Sequence, residues 1–466
     1  MLKILRLRPA SRTGRSFERL PPRIVLIALC VAVAQCATTP ARAPAADSAH
    51  GRTAYRLSVD DDAFLEDLSK RSFLFFWEQA DGNTGIIRDR SGTDGSPSAN
   101  ESAREVGSIA SIGFGLSGMC IAAERGWLPR QQLIERTVRT LRFFAERMEQ
   151  EHGWYYHFVN LRSGAREWNS ELSSIDTALL VSGVLTVRQC FSADPDVPRL
   201  AEAIYRRVDF QWMLAGAPLL LSQGWKPEQG FLQGRWDHYC ELMILYVLAI
   251  GSPTHPIPAE SWYAWSRPTV TFDGYRYVSA ADPLFVHQYS HAWLDFRGWR
   301  EKHPPPVDWF ENSVTATRAH KAFCLSLSRG FPGYTEHVWG ITASDSRKGY
   351  VAWGGPPRHE AIDGSVVPAA AAGSLMFAPD ITVPALREMH RRFGSRVYHR
   401  YGFADAFHPT GGWVNPDVIG IDLGITLLSA ENLRTGRIWG WFMRNPEIRR
   451  GMQRIQGAAV PAELQD

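Results

Sequence analysis

Six stretches of this chain are apolar or small on almost every helical face, and each alternates with an amphipathic partner. The first set covers residues 106–123, 174–190, 239–250, 286–296, 365–377 and 421–433. The second covers 61–79, 130–151, 198–214, 308–329, 383–392 and 446–455. A helix that is hydrophobic all round must be enclosed by other elements, whereas an amphipathic one covers a core with a single stripe. Six enclosed helices with six covering partners predict an inner ring wrapped by an outer ring, an all-α (α/α)6 toroid. The connecting regions are long and rich in Gly, Pro and aromatics, notably 251–283 and 330–363. Loops of that length inside a domain usually carry function. Residues 269–279 alternate as short strands do, which adds a small β-element to the ring. No linker divides the body, so residues 60–456 are read as one domain followed by a tail, 457–466.

The N-terminus reads as a targeting segment. Lys3, Arg6, Arg8, Arg12, Arg15, Arg19 and Arg23 precede an apolar run at 24–34. That run is too short to span a bilayer comfortably and has the size of a signal-peptide core. It ends at Val33-Ala34-Gln35-Cys36, which resembles a bacterial lipoprotein signal except that Gln35 stands where a small residue is usual. Two readings of residues 1–36 therefore stand, lipid attachment at Cys36 and simple cleavage. Residues 37–59 open with an Ala-, Pro-, Ser- and Thr-rich stretch of the kind that forms flexible tethers. Either reading makes the protein an exported one, periplasmic or anchored to a membrane.

Charge excludes one large class of function. The 51 basic residues nearly balance 48 acidic ones, and part of the excess lies in the leader. The body carries no basic stripe of the kind that follows a nucleic-acid backbone. It also lacks a GxSxG elbow, a P-loop and a GxGxxG fingerprint, which removes support for serine-hydrolase and nucleotide readings. Cys120, Cys190, Cys240 and Cys324 are far apart in apolar contexts and read as buried free thiols. His287 and His291 share a helical face at zinc-like spacing, but no third ligand lies near them, so hydrogen bonding is favoured over metal. No metal, cofactor or nucleic-acid partner is expected, and the chain is expected to be a monomer.

Acids recur at one place in the enclosed segments. Asp176, with Glu171 just before it, Glu241, Asp363 and Asp422 each sit at or just ahead of the first turn of such a helix. In a ring of helix pairs the inner helices run parallel, so these carboxylates would converge on one mouth. Helix capping is the plainer reading of any single acid, because exposed N–H groups and the dipole favour negative charge there. Glu241 and Asp422 are followed at once by long apolar runs, which desolvate a carboxylate and raise its pKa while the helix end lowers it. Opposed effects of this kind let one site hold a protonated and an ionised carboxyl, the requirement of glycoside hydrolysis. Aromatics crowd the same loops: Trp154, Tyr155, Tyr156, Trp168, Trp225, Trp236, Tyr239, Trp262, Trp265, Trp339, Trp353 and Trp413. Fewer than half are expected to meet a sugar; the rest are core.

Several motifs then carry a resemblance. Trp339-Gly340-Ile341-Thr342-Ala343-Ser344-Asp345, Asp363-Gly364 with Pro368-Ala369-Ala370, and Tyr401-Gly402-Phe403-Ala404-Asp405-Ala406-Phe407 are among them. So are Ile421-Asp422-Leu423-Gly424, Glu431-Asn432-Leu433-Arg434-Thr435-Gly436 and Ser174-Ile175-Asp176-Thr177-Ala178-Leu179-Leu180. From about Phe64 to Arg454 the chain resembles the bacterial glycoamylase-like family, which is similar to endo-β-1,2-glucanases and to a domain of cyclic β-1,2-glucan synthases. The resemblance implies the (α/α)6 fold, periplasmic or lipid-anchored placement, and inverting cleavage of β-1,2-linked glucan. It maps pocket acids onto Glu171 and Glu241, with Glu241 as general acid. Asp422 is the candidate base across the ring, with Asp176 and Glu171 as alternatives. Tyr239, His287, Gln288, Tyr289, Asp345, Glu360 and Asp363 are implied to bind substrate, joined by Trp168, Trp339, Trp353 and Trp413. The chain departs from the family where Leu423-Gly424-Ile425 replaces Gln-Gly-Pro and where His408 replaces Asn, both near the implied mouth.

Overall fold

The computed structural model describes residues 55–302, 304–356 and 362–459. The leader with Cys36, the tether up to residue 54, Glu360 and the tail from residue 460 lie outside the described residues. The helices are α1 (Val59–Glu78), α2 (Ile109–Arg125), α3 (Arg130–Glu146), α4 (Ser174–Cys190), α5 (Asp196–Arg207), α6 (Met243–Gly251) and α7 (Tyr289–Trp293). They continue with α8 (Trp309–Ser326), α9 (Pro368–Ala372), α10 (Pro379–Phe393), α11 (Gly420–Arg434), α12 (Arg437–Phe442) and α13 (Pro446–Gly457).

The apolar-all-round segments supply buried helices. Every residue of α6 is buried, as its Met-Ile-Leu-Tyr-Val-Leu-Ala-Ile-Gly sequence demands. Contacts run from α11 to α2, from α2 to α4, from α4 to α6 and from α6 to α7, and α9 packs on α11. Gln288, just before α7, reaches α9 and its following turn by donating to Ala370 O (2.9 Å) and Ser374 Oγ (2.8 Å). The amphipathic helices cover this set: α1 lies on α11 and α2, α3 on α2 and α5, α5 on α4, α13 on α6, and α10 on α9. Glycine permits the tightest crossing. A Cβ on Gly183 of α4 would lie 2.1 Å from the carbonyl oxygen of Gly113 on α2, so only bare backbone fits there.

Short antiparallel pairings stitch the lead-ins of the inner helices at one end. Val106–Ser108, entering α2, pairs with Phe158–Asn160, and Tyr156 bridges to Leu172 at the entry to α4. Asp417–Ile419, entering α11, pairs with Arg90–Gly92, and Phe407 bridges to Val366 ahead of α9. The starts of α2, α4, α9 and α11 are thus tied together through non-local strands. The expected β-element is present as the hairpin Thr269–Phe272 with Tyr275–Val278.

Several boundaries differ from expectation for identifiable reasons. Residues 106–108 are strand, and helix α2 begins where Ser108 Oγ accepts from Ser111 N. Helix α3 ends at Glu146 because Gln150–Glu151 turns back to pair with Trp154–Tyr155. The 286–296 and 365–377 segments shrink to the short α7 and α9. The first is preceded by a 3-10 turn at Leu284–His287, and the second stops at Gly373, where an added Cβ would meet Gln288 Oε1 at 2.4 Å. The four body cysteines are free thiols, three buried and Cys190 half-buried. No helix among the described residues is long and apolar enough to cross a membrane.

Candidate active site

Two groups of carboxylates stand at the stitched end, and a third acid joins them. The first group belongs to α4. Ser173 caps that helix, accepting from Asp176 N (3.2 Å) and donating to Asp176 Oδ2 (2.5 Å). Capping therefore accounts for one oxygen of Asp176. The other faces His157 Nε2 at 3.5 Å, and His157 Nδ1 stands 3.1 Å from Glu171 Oε1. Burial pushes the His157 imidazole down, but Asp176 and Glu171 outweigh it and hold its pKa up at about 9. Burial pushes Glu171 up, and the His157 contact overcomes it, taking that carboxyl down to about 2. Asp176 is raised, because its burial outweighs the favourable histidine. A charged imidazolium thus bridges one firmly ionised and one protonation-prone carboxyl.

The second group gathers at the start of α11. Asp422 lies in its first turn, yet the N-cap residue Ile419 makes no side-chain cap hydrogen bond. Its carboxyl instead meets that of Asp405. Asp405 Oδ2 accepts from Asp345 N (2.9 Å) and Asn415 Nδ2 (3.2 Å), and Asn415 Nδ2 also reaches Asp345 Oδ2 (3.1 Å). Arg90 is the only cation in direct contact with this group among the described residues, donating to Asp345 Oδ2 (2.8 Å) and Asp89 Oδ2 (2.9 Å). Burial, reinforced by the Asp405 carboxylate, pushes Asp422 well above the usual range; burial with the Asp345 charge takes Asp405 up to about 6, against the lowering effect of its hydrogen bond with Asp422. Two carboxyls in contact cannot both ionise cheaply, so the pair holds a shared proton at neutral pH.

Glu241 is the third component. It stands two residues ahead of α6, whose N-cap Leu242 makes no side-chain cap bond, so helix capping does not explain it. Ser290, on α7, fixes the loop by donating to Glu241 O (2.6 Å) and accepting from Ile244 N (3.0 Å). The side chain is half-buried. Desolvation, with Asp282 and Asp176 adding repulsion, pushes its carboxyl up to about 7. The three components share one electrostatic neighbourhood: Asp422, Glu241 and Asp176 all act on the buried hydroxyl of Tyr289. This carboxylate set can offer a proton from one wall and accept one on another, which is general acid–base chemistry.

The aromatic and polar expectations divide sharply. Nine of the twelve singled-out aromatics are buried, including Tyr239, Trp339 and Trp353; Trp225 and Trp413 are half-buried and only Trp168 is exposed. Among the residues expected to contact substrate, Tyr239, His287, Gln288, Trp339 and Trp353 are buried. Tyr239 stacks on Trp309 (5.0 Å, 3°) and its hydroxyl pairs with His287 Nδ1 at 2.9 Å. Gln288 spends its amide on α9, and Trp339 and Trp353 pack in the second core cluster. Through these contacts the side chains brace the walls of the site, while Gln288 Oε1 and Trp339 Nε1 are left without a hydrogen-bond partner. Asp363 accepts from Ser365 N (2.9 Å), a turn-forming role. Asp345 and Tyr289 do join the acids, and Glu360 lies outside the described residues. His291 is buried against Ser313 (3.1 Å). Among the described residues no group of three His, Cys, Asp or Glu side chains is placed to hold a metal.

The sequence reading missed His157, Asp89, Arg90, Asp405 and Asn415. Asp405 lies inside the 401–407 motif but in no helix, so no helix start marks it. Arg90 lies on a short strand and His157 immediately ahead of another, and both strands pair with non-local partners, so no local pattern marks them.

Comparison with known proteins agrees with the resemblance. The Glycoamylase family, described as "Putative glucoamylase", matches residues 233–446, which include Glu241, Asp345, Asp405 and Asp422. An exo β-1,2-glucooligosaccharide sophorohydrolase (non-reducing end) of Parabacteroides distasonis is 28% identical over 441 residues, covering 85% of this chain. The chain spans 58% of that relative's length. An endo-β-1,2-glucanase of Chitinophaga pinensis, solved with sophorotriose and glucose, is 27% identical with a TM-score of 0.79, over 86% of this chain and 99% of that one. An endo-β-1,2-glucanase of Talaromyces funiculosus, at 14% identity and a TM-score of 0.59 over 82% of this chain and 87% of that one, shares the fold. These relatives are hydrolases of β-1,2-linked glucose chains, and the chain resembles the glycoamylase-like and endo-β-1,2-glucanase proteins as its motifs imply.

Proposed function

We propose that this chain is an exported hydrolase of β-1,2-linked glucan, endo-acting and inverting, built on an (α/α)6 ring. The observation that carries the reading is the pairing of a half-buried Glu241, raised to about 7, with carboxyls from α4 and α11 around one phenol. Glu241 is protonated through much of the neutral range and would give its proton to the departing glycosidic oxygen. Asp422 is the base through its pair with Asp405, which already shares one proton and can take up a second as pH falls toward the Asp405 value of about 6, whereas Glu171, held at about 2 by His157, is a weaker acceptor. The neighbour contacts among α2, α4, α6, α7, α9 and α11 support the ring, and the basic, apolar leader supports export. Coverage of nearly the whole length of the Chitinophaga endo-enzyme supports internal cleavage. The sophorohydrolase likeness favours a second reading, release of disaccharide from the non-reducing end.

Incubation with linear β-1,2-glucan separates these. A spread of product lengths with the α-anomer appearing first by NMR is expected; disaccharide alone favours the second reading, the β-anomer overturns inversion, and no cleavage overturns both. Glu241→Gln should lower turnover about 10²–10⁴-fold while glucan still binds. Full activity in that variant would remove Glu241 from the chemistry.

A further inference from the structure

The hairpin Ala343–Ser346 with Gly349–Ala352 lies in the second long loop and sets Asp345 directly opposite Tyr350. Directly opposed residues of an antiparallel pair project from the same face. The Asp345 side chain shows which face this is, because its carboxylate takes Arg90 Nη1 at 2.8 Å and Asn415 Nδ2 at 3.1 Å. The hairpin is also fixed to the Asp405–Asp422 pair through Asp345 N and Asp405 Oδ2 (2.9 Å). Its tip is held by Arg347 Nη2 on Gly411 O (2.9 Å). Tyr350 is therefore aimed over the acids of α11 by a braced element. Asp422, Asp405 and Asp89 all act on its hydroxyl, which agrees with that placement.

Tyr350 is nevertheless 48% exposed, one of the few large hydrophobic residues that stand well exposed among the described residues. Another is Trp168, 41% exposed. Trp168 lies 4.7 Å from Phe158, which stacks at 3.8 Å on His157, the bridge of the other acid group. Each carboxylate group thus has one wetted aromatic beside it. A pyranose has an apolar C–H face and a hydroxylated rim, and an aromatic ring set beside carboxylates matches both.

We infer that Tyr350 is a substrate platform, its ring taking the apolar face of the glucosyl unit held over Asp422 and Asp405, and that it sets how firmly the chain is gripped on that side of the cut. Trp168 would serve the opposite side. The inference rests on the glucan-hydrolase reading and adds a residue that the acids do not require.

Steady-state kinetics on linear β-1,2-glucan test it with two variants. Tyr350→Ala should raise KM about tenfold, with kcat falling less than KM rises, since a platform binds ground and transition states alike. Tyr350→Phe keeps the ring and should recover most of that loss. Oligosaccharides long enough to reach the platform should lose their advantage over short ones in the Ala variant. An active wild type whose KM and product lengths are unchanged by Tyr350→Ala overturns this inference alone. A Phe variant as impaired as the Ala variant overturns it too, by assigning the effect to the hydroxyl. A wild type inert on β-1,2-glucan overturns the functional reading and the platform with it.

Discussion

Asp405 and Asp422 illustrate how a residue's role can hide in a pair. Asp422 was legible in the sequence because it opens a long apolar run, so desolvation could be argued from the chain alone. Asp405 sits between Ala404 and Ala406 with no helix to mark it, and only the fold brings the two together. Its effect is to hold Asp422 protonated to higher pH, by charge and by sharing the proton. Asp405→Asn keeps a polar side chain and removes the charge, so Asp422 should ionise more readily. With Asp422 as base, the acid limb of kcat/KM against pH should move down by about one unit. The alkaline limb, set by loss of the Glu241 proton near 7, should stay in place. An unmoved acid limb would take Asp422 out of the base role. The buried polar residues Tyr239, His287 and Gln288 show a related limit of the sequence. Polar residues beside an expected mouth suggest ligand contacts, but buried donors need partners, and the Tyr239–His287 contact and the two donations from Gln288 Nε2 are internal ones that only the fold reveals.

At the level of elements, apolar periodicity identified which segments lie inside, and the buried faces of α2, α4, α6 and α11 follow from it. It failed on length where backbone hydrogen bonds leave the segment, as at 106–108 and 150–151, because strand pairing with a distant partner leaves no local period. The short α12 was missed for a similar reason, being only six residues long. Gly113 and Gly183 show what periodicity cannot give, the closeness of a crossing. In an exposed helix Gly→Ala would gain about 1 kcal/mol of propensity. Here the new Cβ of Gly183→Ala would lie 2.1 Å from Gly113 O and 2.6 Å from its Cα, both backbone atoms that cannot rotate away. Overpacking should win, with a net loss of about 1–3 kcal/mol in denaturant unfolding. A stabilised variant would mean that α2 and α4 can separate at little cost.

For the whole molecule, the acids that suit the site should also shape its stability against pH. Glu241, raised to about 7 from an ordinary 4.5, and Asp405, raised to about 6 from 3.8, favour the fold while protonated. Their contribution is full below the ordinary carboxylate values and is lost as pH rises through 6 and 7. His157, held at about 9 against an ordinary 6.5, contributes fully below 6.5 and is lost as pH rises through 9. Glu171 works in the opposite sense: held at about 2, it stabilises above 4.5 and that support disappears as pH falls toward 2. Glu447, paired with Arg188, is lowered as well and acts on the same acid side. Thermal stability should therefore peak at an acidic pH of about 4–5, within the ordinary carboxylate range, not at neutrality. The neutral limb should be worth about 2–3 kcal/mol from Glu241, discounted because the side chain is partly wetted. Glu241→Gln tests this directly, because it removes the titration while nearly preserving the shape. Its melting temperature should exceed that of the parent at pH 8 and approach it at pH 5. Equal pH dependence in the two proteins would show that Glu241 titrates as an ordinary exposed carboxylate, and the site would then have no protonated acid to spend at neutral pH.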